Sequence, residues 1–233
     1  MARTTMTFSS KSIEFAKLEM KLTNPELAGA YSSVIEFLVT QPGLARSSKK
    51  KNAPEIGSSD YIKLHAPNFV NGRKPKAPSS PSTVPDEMVS FVLHHYFDLP
   101  KSDLQRVKDE HLLAMASENI VGTILEHYIA SVAENFDWIW CSGEMVLAVD
   151  FVKRPQKGTD EWRMLQIKNR DNSENSSSSK IRAGTKIEKW YRTKSRTGKT
   201  MWDSFPDENL RSHLSEDSFV EFASRYLALA RLQ

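Results

Sequence analysis

Three strand-like runs follow one another between residues 136 and 169, and they limit the possible folds more than any other feature of the chain. They cover residues 136–141, 144–153 and 161–169. Ser142-Gly143 separates the first two, and RPQKGTD at 154–160 separates the second from the third. Short apolar runs bounded by turn residues read as strands, and three in succession read as a meander. Helical patterns stand on both sides. Residues 26–40 place Leu27, Tyr31, Val34, Ile35 and Leu38 on one side of a helix that Pro42-Gly43 ends. Pro85 is expected to open a helix, DEMVSFVLHHYF, that stops before Pro100. Ser102 and Gln105 form a capping-box start. The helix that follows is expected to reach about Asn135, with a break near Ser117 and a core face of Leu112, Leu113, Val121, Leu125, Tyr128 and Val132. Trp190-Tyr191 falls in a helical or irregular piece. A last helix at 216–231 carries Phe219, Phe222, Ala223, Tyr226, Leu227 and Ala230. Helices, a meander and a closing helix make an α/β or α+β fold with a central mixed β-sheet flanked by helices.

The length, 233 residues, suits one domain spanning 1–233. Cys141 is the one cysteine, which excludes an internal disulfide and a cysteine-based zinc site. Apolar runs are too short for a membrane span, and MARTTMTFSSKS has no signal-peptide core, so a cytosolic protein is expected. The net charge of +3 conceals an uneven distribution. Residues 41–85 hold eight Lys or Arg against two Asp or Glu, residues 163–199 hold eleven against three, and the rest of the chain is net −11. Two basic segments on an acidic chain favour a polyanionic partner. Residues 41–85 also contain seven of the eleven prolines and read as a Pro/Lys/Ser-rich irregular segment.

The chemistry centres on the second and third runs. EMVLAVDFVKR is apolar in its middle except for Asp150, and a buried acid is costly unless it is paired or holds a metal. In EWRMLQIKNR, Gln166 and Lys168 point to the same face. If the connection turns about Gly158, antiparallel pairing sets Asp150 opposite Gln166. Asp150, the Gln166 amide oxygen and the Ile167 carbonyl are hard ligands suited to Mg²⁺, and Lys168 beside them can orient a water or stabilise charge on a phosphate. The plainer alternative is a structural Asp–Lys pair. The preceding helix offers Glu118 and Glu126, about 80° apart around its axis. Gly122 lies between them and suggests close approach by another backbone. After Lys168 come Asn169, Arg170, Asn172, Asn175, four serines beginning at Ser176, then Arg182 and Lys186. These are residue types that read base edges and hold phosphates. The six histidines form no ligand motif, and the tryptophans read as core or loop anchors.

The order helix Glu, strand Asp150, strand Gln166-x-Lys168 resembles the PD-(D/E)xK nuclease superfamily. WCSGEMVLAVDFV at 140–152 and QIKNRDNSENSSSSKIRAGTKIEKW at 166–190 are similar, more closely, to Type II restriction endonucleases of the SinI/AvaII kind. The resemblance covers residues 110–192, the expected catalytic core. It implies a PD-(D/E)xK restriction-endonuclease-like core and Mg²⁺-dependent cleavage of double-stranded DNA at a short near-palindromic site such as GGWCC. It also implies 5′-phosphate ends, a homodimer, a prokaryotic cytoplasmic setting and a cognate DNA methyltransferase as genetic neighbour. Gln166 departs from the superfamily's usual Asp or Glu and removes one negative charge from the site. The alternatives are a repair or junction-resolving nuclease of the same superfamily, or a non-catalytic DNA-binding protein.

Overall fold

The computed structural model describes residues 8–232 except 49–51, 83, 85, 160 and 172–182. Seven α-helices and four strands are described: α1 (Ser10–Thr23), α2 (Ala28–Thr40), α3 (Ser59–Gly72), α4 (Glu87–His95), α5 (Leu104–Ala133), β1 (Trp138–Trp140), β2 (Phe151–Lys153), β3 (Arg163–Arg170), β4 (Ile187–Thr193), α6 (Glu208–Arg211) and α7 (Glu216–Ala230). The strands form one mixed sheet in the order β1-β2-β3-β4. β1 and β2 run antiparallel, as do β2 and β3, and β4 lies parallel to β3.

Side chains alternate across this sheet and feed two apolar layers. Val152 and Met164 face α1–α3, where Met20, Tyr31, Phe37, Leu38 and Phe69 are buried. Phe151, Leu165, Ile167 and Trp190 face α5 and α7, against Leu125, Ile129, Phe219 and Tyr226. The closing helix presents all six of its expected apolar residues to this second layer. At one end of the sheet Asp207 is buried, accepts three hydrogen bonds and lies 3.8 Å from the Arg163 guanidinium. It accepts from Lys153 Nζ at 2.9 Å and Trp138 Nε1 at 2.8 Å, and from Asn209 N at the start of α6. Burial alone would raise its pKa; the bonds from Lys153 and Trp138 outweigh burial and hold it below the ordinary carboxylate range.

Several expectations need correction. Residues 59–72, inside the segment read as irregular, form α3. Ser58 caps it, and Tyr61, Ile62, Ala66 and Phe69 are buried. Pro67 sits inside this helix on its exposed side, and packing offsets a penalty of about 3 kcal/mol. α5 runs unbroken through Ser117, whose hydroxyl donates to the Leu113 carbonyl. No Ser102–Gln105 capping box forms: a 3₁₀ turn, Lys101–Asp103, precedes α5, and Gln105 bonds Asp109. Leu113 is exposed rather than in the core. Asp86 caps α4, while Pro85 lies outside the described residues. Trp190 and Tyr191 stand on β4, a strand that local pattern could not separate from a helix because its polar and apolar residues do not alternate cleanly. The second run is strand only at Phe151–Lys153, with an isolated Val146–Ala45 bridge before it.

The close backbone approach expected at Gly122 is found elsewhere. A Cβ at Gly122 would meet nothing within 4 Å. A Cβ at Gly72, the last residue of α3, would stand 2.6 Å from the Gly143 backbone nitrogen. Gly143 itself has φ +83° and lies against the Asn68 carbonyl. Gly72→Ala is therefore expected to destabilise by about 1–3 kcal/mol. Gly122→Ala is expected to stabilise by roughly 1 kcal/mol through helix propensity. Thermal unfolding of the two variants side by side checks both signs; equal shifts in the same direction would contradict this placement.

Candidate active site

Asp150 stands one residue before β2, where the chain bends. Ala148 takes a left-handed φ of +57°, a strained conformation for a residue with a side chain. The β2–β3 ladder stops at Phe151, and the Asp150 N–H still donates to the Leu165 carbonyl at 2.9 Å. The paired register ends at Phe151 with Leu165, so Asp150 and Phe151 both lie against Leu165, a local bulge, and the Asp150–Gln166 pairing expected from a turn about Gly158 is not part of the ladder. The next ladder donor, the Ile167 N–H, would go to residue 149 of a continuing strand. It goes instead to the Asp150 carboxylate, Oδ2, at 2.7 Å. A strand residue points its N–H and C=O to the same neighbour, so the Ile167 carbonyl shares this edge. Gln166 is 2% exposed, and Lys168 is partly buried two residues further along β3.

Glu126 reaches the same place from α5. Its Oε2 accepts a hydrogen bond from Trp140 Nε1 at 3.3 Å. Burial and then the Asp150 charge push its pKa up to about 8, against the pull of Trp140, Lys168 and Lys76. Asp150 is raised to about 6 by burial, opposed by the Ile167 N–H and Lys168. Two adjacent carboxylates thus sit in an environment short of positive charge. His127, the next residue on α5, packs between the Trp140 and Tyr226 rings. Burial, Lys76 and Arg73 lower its pKa to about 4, so it is neutral at pH 7.

Asp150, Ile167, Lys168 and Glu126 therefore come together, and Gln166 is buried between Leu165 and Ile167 on β3. Glu118 does not join them. It is exposed, two turns back on α5, about 12 Å along the axis, in an open groove with Asn169, Arg170, Arg192 and Glu216. Asn169 accepts from Arg192 Nε at 3.0 Å, and Arg192 also pairs with Glu216. Arg170 is exposed at the end of β3. Lys186 lies at the opposite end of β3 from Lys168, ion-paired with Glu161 on the surface. Asn172, Asn175, Ser176 and Arg182 lie outside the described residues. Among the described residues no group of three or more His, Cys, Asp or Glu gathers as a metal site, and no helix is long and apolar enough to cross a membrane.

Four residues beside the site carried no catalytic signal in the sequence. Trp140 and His127 frame Glu126. Arg73 and Lys76, counted among the charges of the irregular segment, face inward or act on Glu126 and His127. The spacing of Tyr61, Ile62, Ala66 and Phe69 was the available sign that this segment packs.

The helix-flanked mixed sheet gathers two carboxylates and a lysine at one end of its inner strands β2 and β3, an arrangement suited to a hydrolase. Comparison with known proteins specifies it. The family model of the SinI restriction endonuclease matches residues 12–229. The chain is 47% identical over 221 residues to the Type II restriction enzyme SinI of Salmonella infantis, covering 94% of this chain and 96% of that one. It is 46% identical over the same shares to the Type II restriction enzyme Eco47I of Escherichia coli. The chain belongs to the SinI restriction endonuclease family, Type II site-specific deoxyribonucleases.

Unfolded carboxyl groups titrate near 4, below both Glu126 and Asp150. The native chain therefore binds more protons than the unfolded one between about pH 4 and pH 8, and these two groups lower stability as pH rises through that window. Glu126→Gln removes the higher-lying group. In EDTA its melting temperature is expected to exceed the parent's by several degrees at pH 8, with the gap closing toward pH 5. A gap that widens on acidification would refute the shared burial of the two acids.

Proposed function

We propose that the chain hydrolyses both strands of DNA at a short near-palindromic site of the GGWCC type, with Mg²⁺, leaving 5′-phosphates. In this reading residues 1–233 are one endonuclease domain of PD-(D/E)xK architecture, with the catalytic core at 110–192. It works as a homodimer in a prokaryotic cytoplasm, beside a genetic neighbour encoding the protecting methyltransferase. The observation that carries the reading is the pairing of Asp150 and Glu126 next to Lys168, with Asp150 held by the Ile167 N–H.

The donor set fits a hard dication. Burial raises the pKa of both carboxylates and the Asp150 charge raises Glu126 further, so the pair favours a cation, and the Gln166 amide oxygen and Ile167 carbonyl would add neutral oxygen donors. Mg²⁺ bound there would polarise the phosphodiester and lower the pKa of a bound water. The protein's own residues do the rest. The Ile167 N–H fixes the rotamer of Asp150. Trp140 Nε1 orients Glu126, which accepts a proton once ionised. Lys168 donates hydrogen bonds to the attacking water and to the phosphate oxygen on which charge develops. Gln166 keeps the oxygen geometry of an acid with one charge fewer, so the site relies more on Glu126 than a site with a third carboxylate would. Glu118, Asn169 and Arg170 border a groove along which the DNA backbone can run. Arg170, Asn172, Asn175, Ser176 and Arg182 read bases or fix phosphates, and Lys186 serves the DNA once its pair with Glu161 opens.

Incubation with plasmid DNA and Mg²⁺ tests this: discrete fragments with 5′-phosphate ends at one recurring sequence are expected. Random cutting, or cutting at branched junctions alone, would overturn it. Lys168→Ala is expected to lower the cleavage rate by about 10²-fold or more while DNA affinity stays within a few-fold. Undiminished cleavage would remove Lys168 from the chemistry.

A further inference from the structure

Helix α4 is built inside out. Its buried residue is Ser90, whose hydroxyl has no hydrogen-bond partner. Leu93 is half-buried toward α5, but the other apolar residues face solvent: Met88 is 60% exposed, Val89 50%, Phe91 54% and Val92 45%. Tyr96 and Phe97 follow at 77% and 60%. Met88, Phe91 and Val92 stand at i, i+3 and i+4, with Val89 and Tyr96 adjoining, so they form one continuous side. A hydroxyl facing in and aromatic rings facing out is the reverse of what a solvated surface helix needs.

We infer that this side of α4, with Tyr96 and Phe97, is the surface on which a second copy of the chain docks. Six side chains exposed by about half or more, on aromatic areas of 150–250 Å² each and somewhat less for the aliphatic ones, amount to roughly 700 Å². That is close to the ~800 Å² each partner contributes to a standard interface and beyond the usual largest patch on a monomer. A polyanion does not fit there. Residues 86–113 hold six acids, including Asp86, Glu87 and Asp98, against Lys101, Arg106 and Lys108, which disfavours DNA and anionic lipid. A patch that is apolar at its centre and carries both charges at its rim can meet itself across a twofold axis. One further argument rests on the proposed function: a single site per chain must act on two strands.

The test is sedimentation of the full chain without DNA, so that it reads out independently of cleavage. The unsubstituted protein is expected to be a dimer at micromolar concentration. Phe91→Glu/Val92→Glu is expected to weaken association by about 100-fold or more, with an unchanged far-ultraviolet circular dichroism spectrum. Leu22→Glu, the same kind of change at an 86%-exposed residue of α1, is expected to leave the dimer intact. Hydrogen exchange needs no variant: amides of residues 87–97 are expected to slow as concentration rises through the dimerisation range. A monomeric parent, a dimer that persists in the double variant, or exchange at 87–97 that ignores concentration would each overturn the proposal. An unsubstituted protein that dimerises, and is disrupted by the double change as expected, but has no nuclease activity as the intact dimer would support it and refute the proposed function instead.

Discussion

Arg73 is the junction on which the two apolar layers depend. It leaves the end of α3 and forms a bidentate pair with Glu134 at the end of α5, at 2.9 and 2.7 Å. It also donates to Ser142 Oγ and to the Trp140 carbonyl, and its guanidinium lies over the Phe69 and Trp140 rings. One side chain thereby ties α3, α5, β1 and the β1–β2 turn. The planar fork that permits this is specific to arginine; lysine has one point of charge and no face to stack. The junction also reaches the site, because the Trp140 ring against which Arg73 rests is the ring that donates to Glu126. The helical half of the chain therefore holds a carboxylate it never touches.

The sheet carries opposite electrostatic solutions at its two ends. At one end Asp207 is buried against Lys153 and Trp138, and its acidity is strengthened. At the other, Asp150 and Glu126 are crowded together and their acidity is weakened. Removing Lys153 or Asp207 would leave an uncompensated buried charge, so that end is committed to structure. The opposite end holds strain, in its carboxyl pair and in the left-handed Ala148. Residues kept in costly states next to one another are what a binding and reacting site is made of.

Much of this was legible in the sequence, for definable reasons. The meander was readable because Ser142-Gly143 and the Gly158 turn punctuate it, and symmetry about Gly158 gives the Phe151–Leu165 register, which ends one residue short of Asp150. The closing helix was readable because its apolar stripe is complete. What failed was information that only tertiary packing supplies. Prolines hid α3, since four buried side chains outweigh Pro67. The parallel pairing of β4 could not be read because its partner β3 is reached only through a long connection. Glu118 and Glu126 have equal standing on a helical wheel, and only the sheet beneath α5 separates them. The charge count of residues 41–85 pointed outward, although Arg73 spends its charge on the interior.

Helix α5 is 30 residues long without interruption, about 45 Å of rigid rod. Its first turns pack against α4, and Glu126 stands near its far end. In a pair of chains joined through α4, the rod acts as a ruler. The separation of the two scissile phosphates, and so the stagger of the two cuts, becomes a matter of helix length rather than loop geometry. One added or deleted turn would shift each reacting centre by about 5.4 Å, more than one base-pair step along the duplex. Cleavage offset in such an enzyme would be quantised by helical turns, independent of which bases are read.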